Sequence, residues 1–327
     1  MSNKGKIRVY SVGGAGMNLG SLLEKHRNQT EVAFGEIEIN YIDTSKSNLR
    51  SNIDQSHCYL IDGLDGSGKI RSENHEEIND RIRAILQQFK PADLNIILGS
   101  AAGGSGSVIG PLLTRELLAQ EVPVIVLNVG SADTRIDAEN TLKTIKSYES
   151  VARLSNAPVV MYYVQNSQTT PRLEADNLMF NMVLSLAVLF SRENREMDSR
   201  DLFNWLRFNR VTTFPVQLAS VSLVEDKESM SEIGNIISVA TLAREGMNTA
   251  LSEKPEYQCV GFLPENADDP VLSKAPLHFV ISDGIFNSVH SHLTSILKEL
   301  EEKQQARLKH TNLLNDKDKP HDNGLVL

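Results

Sequence analysis

Three glycine-rich stretches carry the chemistry of this 327-residue chain: "SVGGAGMN" at 11–18, "GLDGSGKI" at 63–70 and "GSAAGGSGSVIG" at 99–110. Without a Cβ, the chain there can adopt positive φ and lie close against a ligand. The third stretch follows the apolar run "LNIIL" and precedes "VIGPLLTRELLAQ", a strand followed by a helix. No charged side chain falls between Asp93 and Arg115. Such a turn aims free backbone N–H groups and the positive end of a helix at one point, an arrangement suited to phosphate. A single glycine would be read more simply, as a packing requirement of a tight turn. The run "GGSGS" at 103–107 outweighs that reading.

Two familiar motifs are approached and missed. Gly63, Gly68 and Lys69 fit GxxxxGK, but the following residue is Ile70, where a P-loop needs a hydroxyl for magnesium. The first loop, with Asp43 ending the next strand, suggests a dinucleotide-binding turn, yet its spacing from Gly14 is GxGxxxG rather than GxGxxG. A dinucleotide fold needs one such loop. Three at neighbouring strand ends can surround one polyphosphate with backbone N–H groups and no P-loop lysine.

The elements that must position these loops alternate. Strands are expected at "KIRVYSV", "EIEINYID", "SHCYLID", "LNIILG", "VPVIVLNV" and "APVVMYYV", with helices between most of them. That pattern predicts an α/β protein with a Rossmann-like, mostly parallel sheet covered on both faces. Ligands of such sheets bind at the carboxyl ends of the strands, where each glycine loop falls. A long helix is expected from about Pro171 to Arg195, and its apolar middle "LMFNMVLSLAVLF" predicts burial on most faces. Beyond it "VTTFPVQLASVSLV", "YQCVGFLP" and "PLHFVISD" read as strands, and "SMSEIGNIISVATLAREG" (229–246) and the stretch after Gly284 as helices. The expected organisation is a phosphate-binding domain over 1–170, a central helix and loop over 171–200, a smaller α+β domain over 201–284, a long helix over 285–310, and a flexible acidic tail over 311–327.

Composition excludes several classes. The net charge of −9 argues against coating nucleic acid or an anionic membrane. Two cysteines, Cys58 and Cys259, make no disulfide scaffold or zinc site. The start lacks a signal-peptide core and no apolar run spans a bilayer, so a soluble cytoplasmic protein is expected.

The loops together resemble the tubulin/FtsZ family of GTPases. "AAGGSGSVIG" is similar to the family's signature loop, with Gly103, Gly104, Ser105, Gly106 and Ser107 at its core. "GGAGMN" resembles the first loop at Gly13, Gly14, Ala15, Gly16 and Asn18. Asp43, Thr44 and Ser45 stand where the family has an NTD triplet, and Gly66, Ser67 and Gly68 match a third loop. "SADTRIDAENT" resembles the ribose-contacting stretch, with Asp133 and Asp137 at its acidic places. Asn166 and Asn181 match the two base-reading asparagines, and "EMDSRDLFNWL" resembles the catalytic loop at Asp198 and Asp201, with Glu196 in place of its asparagine.

The resemblance implies binding of GTP or GDP, with magnesium held mainly through phosphates and water rather than by a protein ligand set. It implies a head-to-tail homopolymer in which Asp201, with Asp198, completes the neighbour's site for GTP hydrolysis. The degenerate signature loop and the absence of a long linker after the last helix resemble phage-encoded tubulins of the PhuZ type. These imply a filament that positions phage DNA or capsids in the host bacterium, with the acidic tail of one subunit held by its neighbour. No direct nucleic-acid or membrane partner is implied. Spacing alone supports a plainer reading of Asp198 and Asp201, as caps of the helix that follows. Two rival functions are a non-polymerising dinucleotide-binding oxidoreductase and a GTP-binding scaffold without hydrolysis.

Overall fold

A computed structural model describes residues 4–27, 35–51, 53–251, 253–264 and 276–308. The strands are β1 (Lys6–Val12), β2 (Glu36–Asp43), β3 (Cys58–Leu60), β4 (Leu94–Ser100), β5 (Val124–Ser131), β6 (Val159–Asn166), β7 (Leu218–Val224), β8 (Ile236–Arg244), β9 (Tyr257–Leu263) and β10 (Leu277–Ser282). The helices are α1 (Gly13–Arg27), α2 (His75–Gln88), α3 (Gly106–Ala119), α4 (Arg135–Ser155), α5 (Arg172–Leu189), α6 (Ser199–Leu206), α7 (Lys227–Ser231) and α8 (Ile285–Leu308).

All the strands form one sheet, in the order β3-β2-β1-β4-β5-β6-β7-β10-β8-β9. From β3 to β7 every pairing is parallel, as strand–helix alternation dictates. β10 enters antiparallel between β7 and β8, so the C-terminal strands continue the same sheet. Side chains of a strand alternate between faces. Ile7 and Val9 of β1 therefore join the core under α1 and α5, whereas Tyr10 and Val12 join the core under α2, α3 and α4.

Two expectations are corrected. The helix expected over 229–246 is the five-residue α7 followed by β8. Gly234 and Asn235 end helical pairing, and the run from Ile236 to Ala243 is buried throughout. A strand buried on both faces shows no alternation, so an apolar run there cannot be told from a helix by period. The central helix ends at Leu189 rather than near Arg195; its apolar middle is mostly buried as expected, while its first turns lie open. Burial is continuous only from Ser185 onward, while Leu173 is 72% exposed and Asn181 is also exposed. The tail over 311–327 lies outside the described residues. Among the described residues no helix is long and apolar enough to cross a membrane.

Candidate functional site

Two helices begin side by side at the carboxyl edge of the sheet. α1 starts directly after β1, and α3 starts after the loop leaving β4. A Cβ on Gly13 would lie 2.7 Å from the Gly106 nitrogen, and one on Gly106 would lie 2.7 Å from the Val12 carbonyl oxygen. Only glycine permits that approach, and Gly13 also takes a φ of +69°. The two helix N-termini flank a cavity of about 280 Å³. Its walls are Gly13–Ala15, then Asp43, Ser45, Ser47 and Asn48 after β2, then Asp65–Gly68, and finally Ser100 and Gly103–Gly106. A Cβ on Gly103 would meet nothing within 4 Å, so that backbone is open to a ligand. Ser105, at the cap position of α3, makes no side-chain cap bond, which leaves first-turn N–H groups of α3 without an intrahelical partner. Among the described residues no lysine, arginine or histidine lines the cavity. Attraction for an anion there comes from aligned peptide dipoles and N–H groups.

The loops are held by bonds between hydroxyls in the cavity wall and by side chains set one layer behind it. Thr44 Oγ1 and Ser105 Oγ are 2.5 Å apart, and Ser67 Oγ is 3.3 Å from the same serine. Asn74 donates to the Gly66 carbonyl at 2.7 Å. Asn140 of α4 donates to the carbonyls of Lys69 (2.8 Å) and Ala102 (3.2 Å), bridging two loops. Thr144 donates to Ala101 at 2.8 Å, one helical turn on. Pro111 of α3 lacks the N–H that would bond the Ser107 carbonyl, and Arg71 donates to that carbonyl at 3.0 Å instead.

Asp43 is buried at the rim of this network. It accepts from the Thr44 N–H and from Asn48 Nδ2, each at 2.7 Å. Burial pushes its carboxyl above the usual range, and those hydrogen bonds only partly oppose the rise.

The structure brings together Gly13, Gly14, Ala15, Asp43, Gly66, Ser67, Gly68, Gly103, Gly104, Ser105 and Gly106. Gly16 packs under the Leu98 carbonyl instead, Asn18 accepts from Arg50 at 2.6 Å, and Ser107 donates to the Gly104 carbonyl. Asp133, Asp137, Asn166 and Asn181 line no wall of the cavity. Asp133 is exposed, and Asp137 is buried against Lys69 and Thr134. Asn166 ends β6, paired with Ser131 at the end of β5, so it shares the carboxyl edge. Five lining residues escaped the sequence reading as site residues: Ser47, Asn48, Asp65, Ser100 and Val12. The polar run "TSKSN" after β2 was the available signal for the first two.

Asp198 and Asp201 stand at the other edge of the sheet. Asp198 caps α6, accepting from the N–H groups of Arg200 (2.8 Å) and Asp201 (3.0 Å), and Asp201 accepts from the Asp198 N–H at 3.0 Å. This reciprocal capping box holds the Asp198 carboxyl below the usual range. The Tyr257 hydroxyl reaches Asp201 Oδ1 at 3.3 Å. Asp198 shares a groove of about 800 Å³ with Asp93 and Pro123, which precede β4 and β5. The glycine loops follow the far ends of those strands. A seven-residue strand spans ~23 Å, so the acids and the cavity of one chain do not meet.

A parallel sheet with glycine loops gathered at its carboxyl edge, helix α5 following β6 and an acidic loop at the opposite edge is the arrangement that the tubulin/FtsZ resemblance implies. Comparison with known proteins narrows this. A family profile described as "Phage tubulin-like protein, C-terminal domain" matches residues 197–289. The phage tubulin-like protein of Pseudomonas phage PhiPA3 is 27% identical over 326 residues, covering 99% of this chain and all of the relative. The protofilament of TubZ from bacteriophage PhiKZ superposes with a TM-score of 0.85 at 27% identity, covering 98% of this chain and 99% of that one. The GDP form of the phage tubulin PhuZ superposes at 0.86 with 22% identity, over 98% of this chain and 99% of its own. Over nearly its whole length the chain is thus similar to phage tubulin-like proteins.

Proposed function

We propose that the chain binds GTP in the glycine-loop cavity, assembles head to tail into filaments, and hydrolyses the nucleotide at the contact between subunits. The observation that carries this reading is the placement of the cavity and the Asp198–Asp201 loop at opposite edges of one sheet. A subunit stacked edge to edge on the next presents its acids to its neighbour's cavity. Such a contact does not close on itself and so propagates as a filament.

The cavity suits the phosphates. It offers two helix N-termini, the exposed backbone at Gly103 and the hydroxyls of Ser45, Ser47, Ser67 and Ser100. Its volume is that of a polyphosphate pocket. Ribose and base would extend along the carboxyl edge toward Asp133, Asp137, Asn166 and Asn181. An amide there can pair with both donor and acceptor edges of guanine. Magnesium, held by phosphate oxygens and water, would supply charge neutralisation, with Asp43 and Asp65 the carboxylates within reach of its waters. Asp201 of the adjacent subunit orients the attacking water, assisted by Asp198. The cellular role in this reading is a filament that positions phage DNA or capsids within the host cytoplasm.

The capping box favours a second reading, in which both aspartates serve only α6 and the chain binds GTP without cleaving it. Light scattering and phosphate release, measured side by side with GTP, GDP and NAD across protein concentrations, separate the readings. Scattering with GTP alone, and a phosphate-release rate per subunit that climbs with concentration, is expected. Scattering without phosphate release would favour the scaffold. A rate per subunit unchanged well below the assembly threshold would contradict the shared site.

A further inference from the structure

The cavity lacks a cation, yet a polyphosphate brings several negative charges to it. One lysine is placed to supply the missing charge. Lys69 directly follows Gly68 of the lining loop, and a Cβ on Gly104 would lie 3.0 Å from the Lys69 Cα. Its backbone sits at φ +67°, a conformation that favours glycine and is strained for a lysine. The Lys69 carbonyl is fixed by Asn140 at 2.8 Å. The side chain is 49% exposed, and its Nζ lies 2.6 Å from Asp137 Oδ1.

Asp137 does not depend on that lysine. It occupies the first turn of α4, where the helix dipole favours a carboxylate, and it accepts from the Thr134 hydroxyl at 2.6 Å. Two nearby arginines are committed elsewhere. Arg71 is held by the Ser107 carbonyl and by Ser147 Oγ, and Arg50 by Asn18. Lysine carries a compact charge on a flexible four-carbon stem and can change partners without moving the backbone.

We propose that Lys69 is the charge-compensating residue of the phosphate cavity, its ammonium resting on Asp137 and turning to the polyphosphate when nucleotide is bound. This rests on the GTP reading of the same cavity. The strained backbone then has a role, since it directs a lysine into a loop otherwise built from glycine and serine. The near-match to a P-loop recovers a physical meaning as well: the lysine serves the phosphates although Ile70 cannot serve a metal.

The test is equilibrium binding of GTPγS to the full chain at low and high NaCl, for the unmutated protein and for Lys69→Gly and Lys69→Arg. Glycine relieves the backbone strain, so loss of binding in that variant reports the side chain. Lys69→Gly is expected to weaken GTPγS about tenfold at low salt, with the difference closing at high salt because an exposed charge is screened. Lys69→Arg should recover most of the affinity. Equal affinity for Lys69→Gly and the unmutated chain at both salts would overturn the proposal. So would a loss that is the same at both salts, which marks a loop-shaping role. If the unmutated chain binds no GTPγS at either salt, the GTP reading itself fails.

Discussion

The two edges of the sheet solve opposite problems. The carboxyl edge presents backbone: two helix starts, open glycines and a ring of hydroxyls, with the loops held from behind by Asn74, Asn140 and Thr144. The amino edge presents side chains: two carboxylates, each tied to the other's backbone at the start of α6. A binding surface made of backbone is preorganised by the fold and tolerates little substitution. A surface made of two capping aspartates keeps its local shape whether or not a partner is present. In the proposed reading, binding and catalysis would fall to parts that cannot act on each other within one chain.

The separation is broken most forcefully at Asp201. Asp201→Ala should bind GTP and assemble as before but release phosphate roughly 10²–10⁴-fold more slowly. Mixing it with Gly104→Val, which crowds the cavity at Ser67, should restore phosphate release, because one variant supplies the cavity and the other the acids. No recovery on mixing, with both variants soluble, would place the two halves of the site in one subunit after all.

The next test addresses the cavity edge alone. In Gly106→Ala the new methyl meets the Val12 carbonyl at 2.7 Å and must push α3 away from β1. A loss of about 1–3 kcal/mol in unfolding free energy is expected from such overpacking, together with weaker GTP binding. Thermal unfolding and titration calorimetry measure both, and an unchanged melting temperature would mean that the two helix starts are less tightly registered than described.

Asn181→Leu sharpens the comparison along the same edge. Loss of an amide partner for the base should weaken GTP by about 1–2 kcal/mol and leave ATP nearly unaffected. Calorimetry with both nucleotides checks it, and equal affinity of the unmutated chain for ATP and GTP would remove the guanine assignment.

The smallest effect concerns Asp43. Its raised pKa means that the folded chain binds a proton where the unfolded chain does not. Its contribution to stability therefore declines as pH rises from the ordinary carboxylate range through the raised value. Asp43→Asn should flatten that decline in a plot of melting temperature against pH. A slope identical in both proteins would assign the dependence to other carboxyls.

What was legible in the sequence follows from this division. Gly13, Gly104 and Gly106 were readable because backbone chemistry forces residue type, and the alternation of strands and helices fixed where those loops fall. Ser47, Asn48 and Ser100 were not, since a serine or asparagine in a loop is common and only the fold turns it toward the cavity. The pair Asp198 and Asp201 supported two readings, and the capping box shows that the plainer one describes the isolated chain. Ile236–Ala243 was misread because burial on both faces erases the period on which strand recognition depends. Asn181 was expected to be enclosed by an apolar helix, but α5 is apolar in composition while its first turns lie open.

The ~23 Å between the two edges also gives any stack of these chains a direction. In the stacking proposed above, every internal joint would pair a cavity with a set of acids, but the two termini would be chemically unlike. At one terminus a cavity would face solvent without acids, so its nucleotide would persist uncleaved until the next subunit arrives. At the other, acids would face solvent with nothing to act on. The open cavity of the first terminus would then be the place of intact triphosphate, and joints would be older with distance from it. A polymer of that geometry would carry a record of its own age, written from one tip, without any further component to mark it.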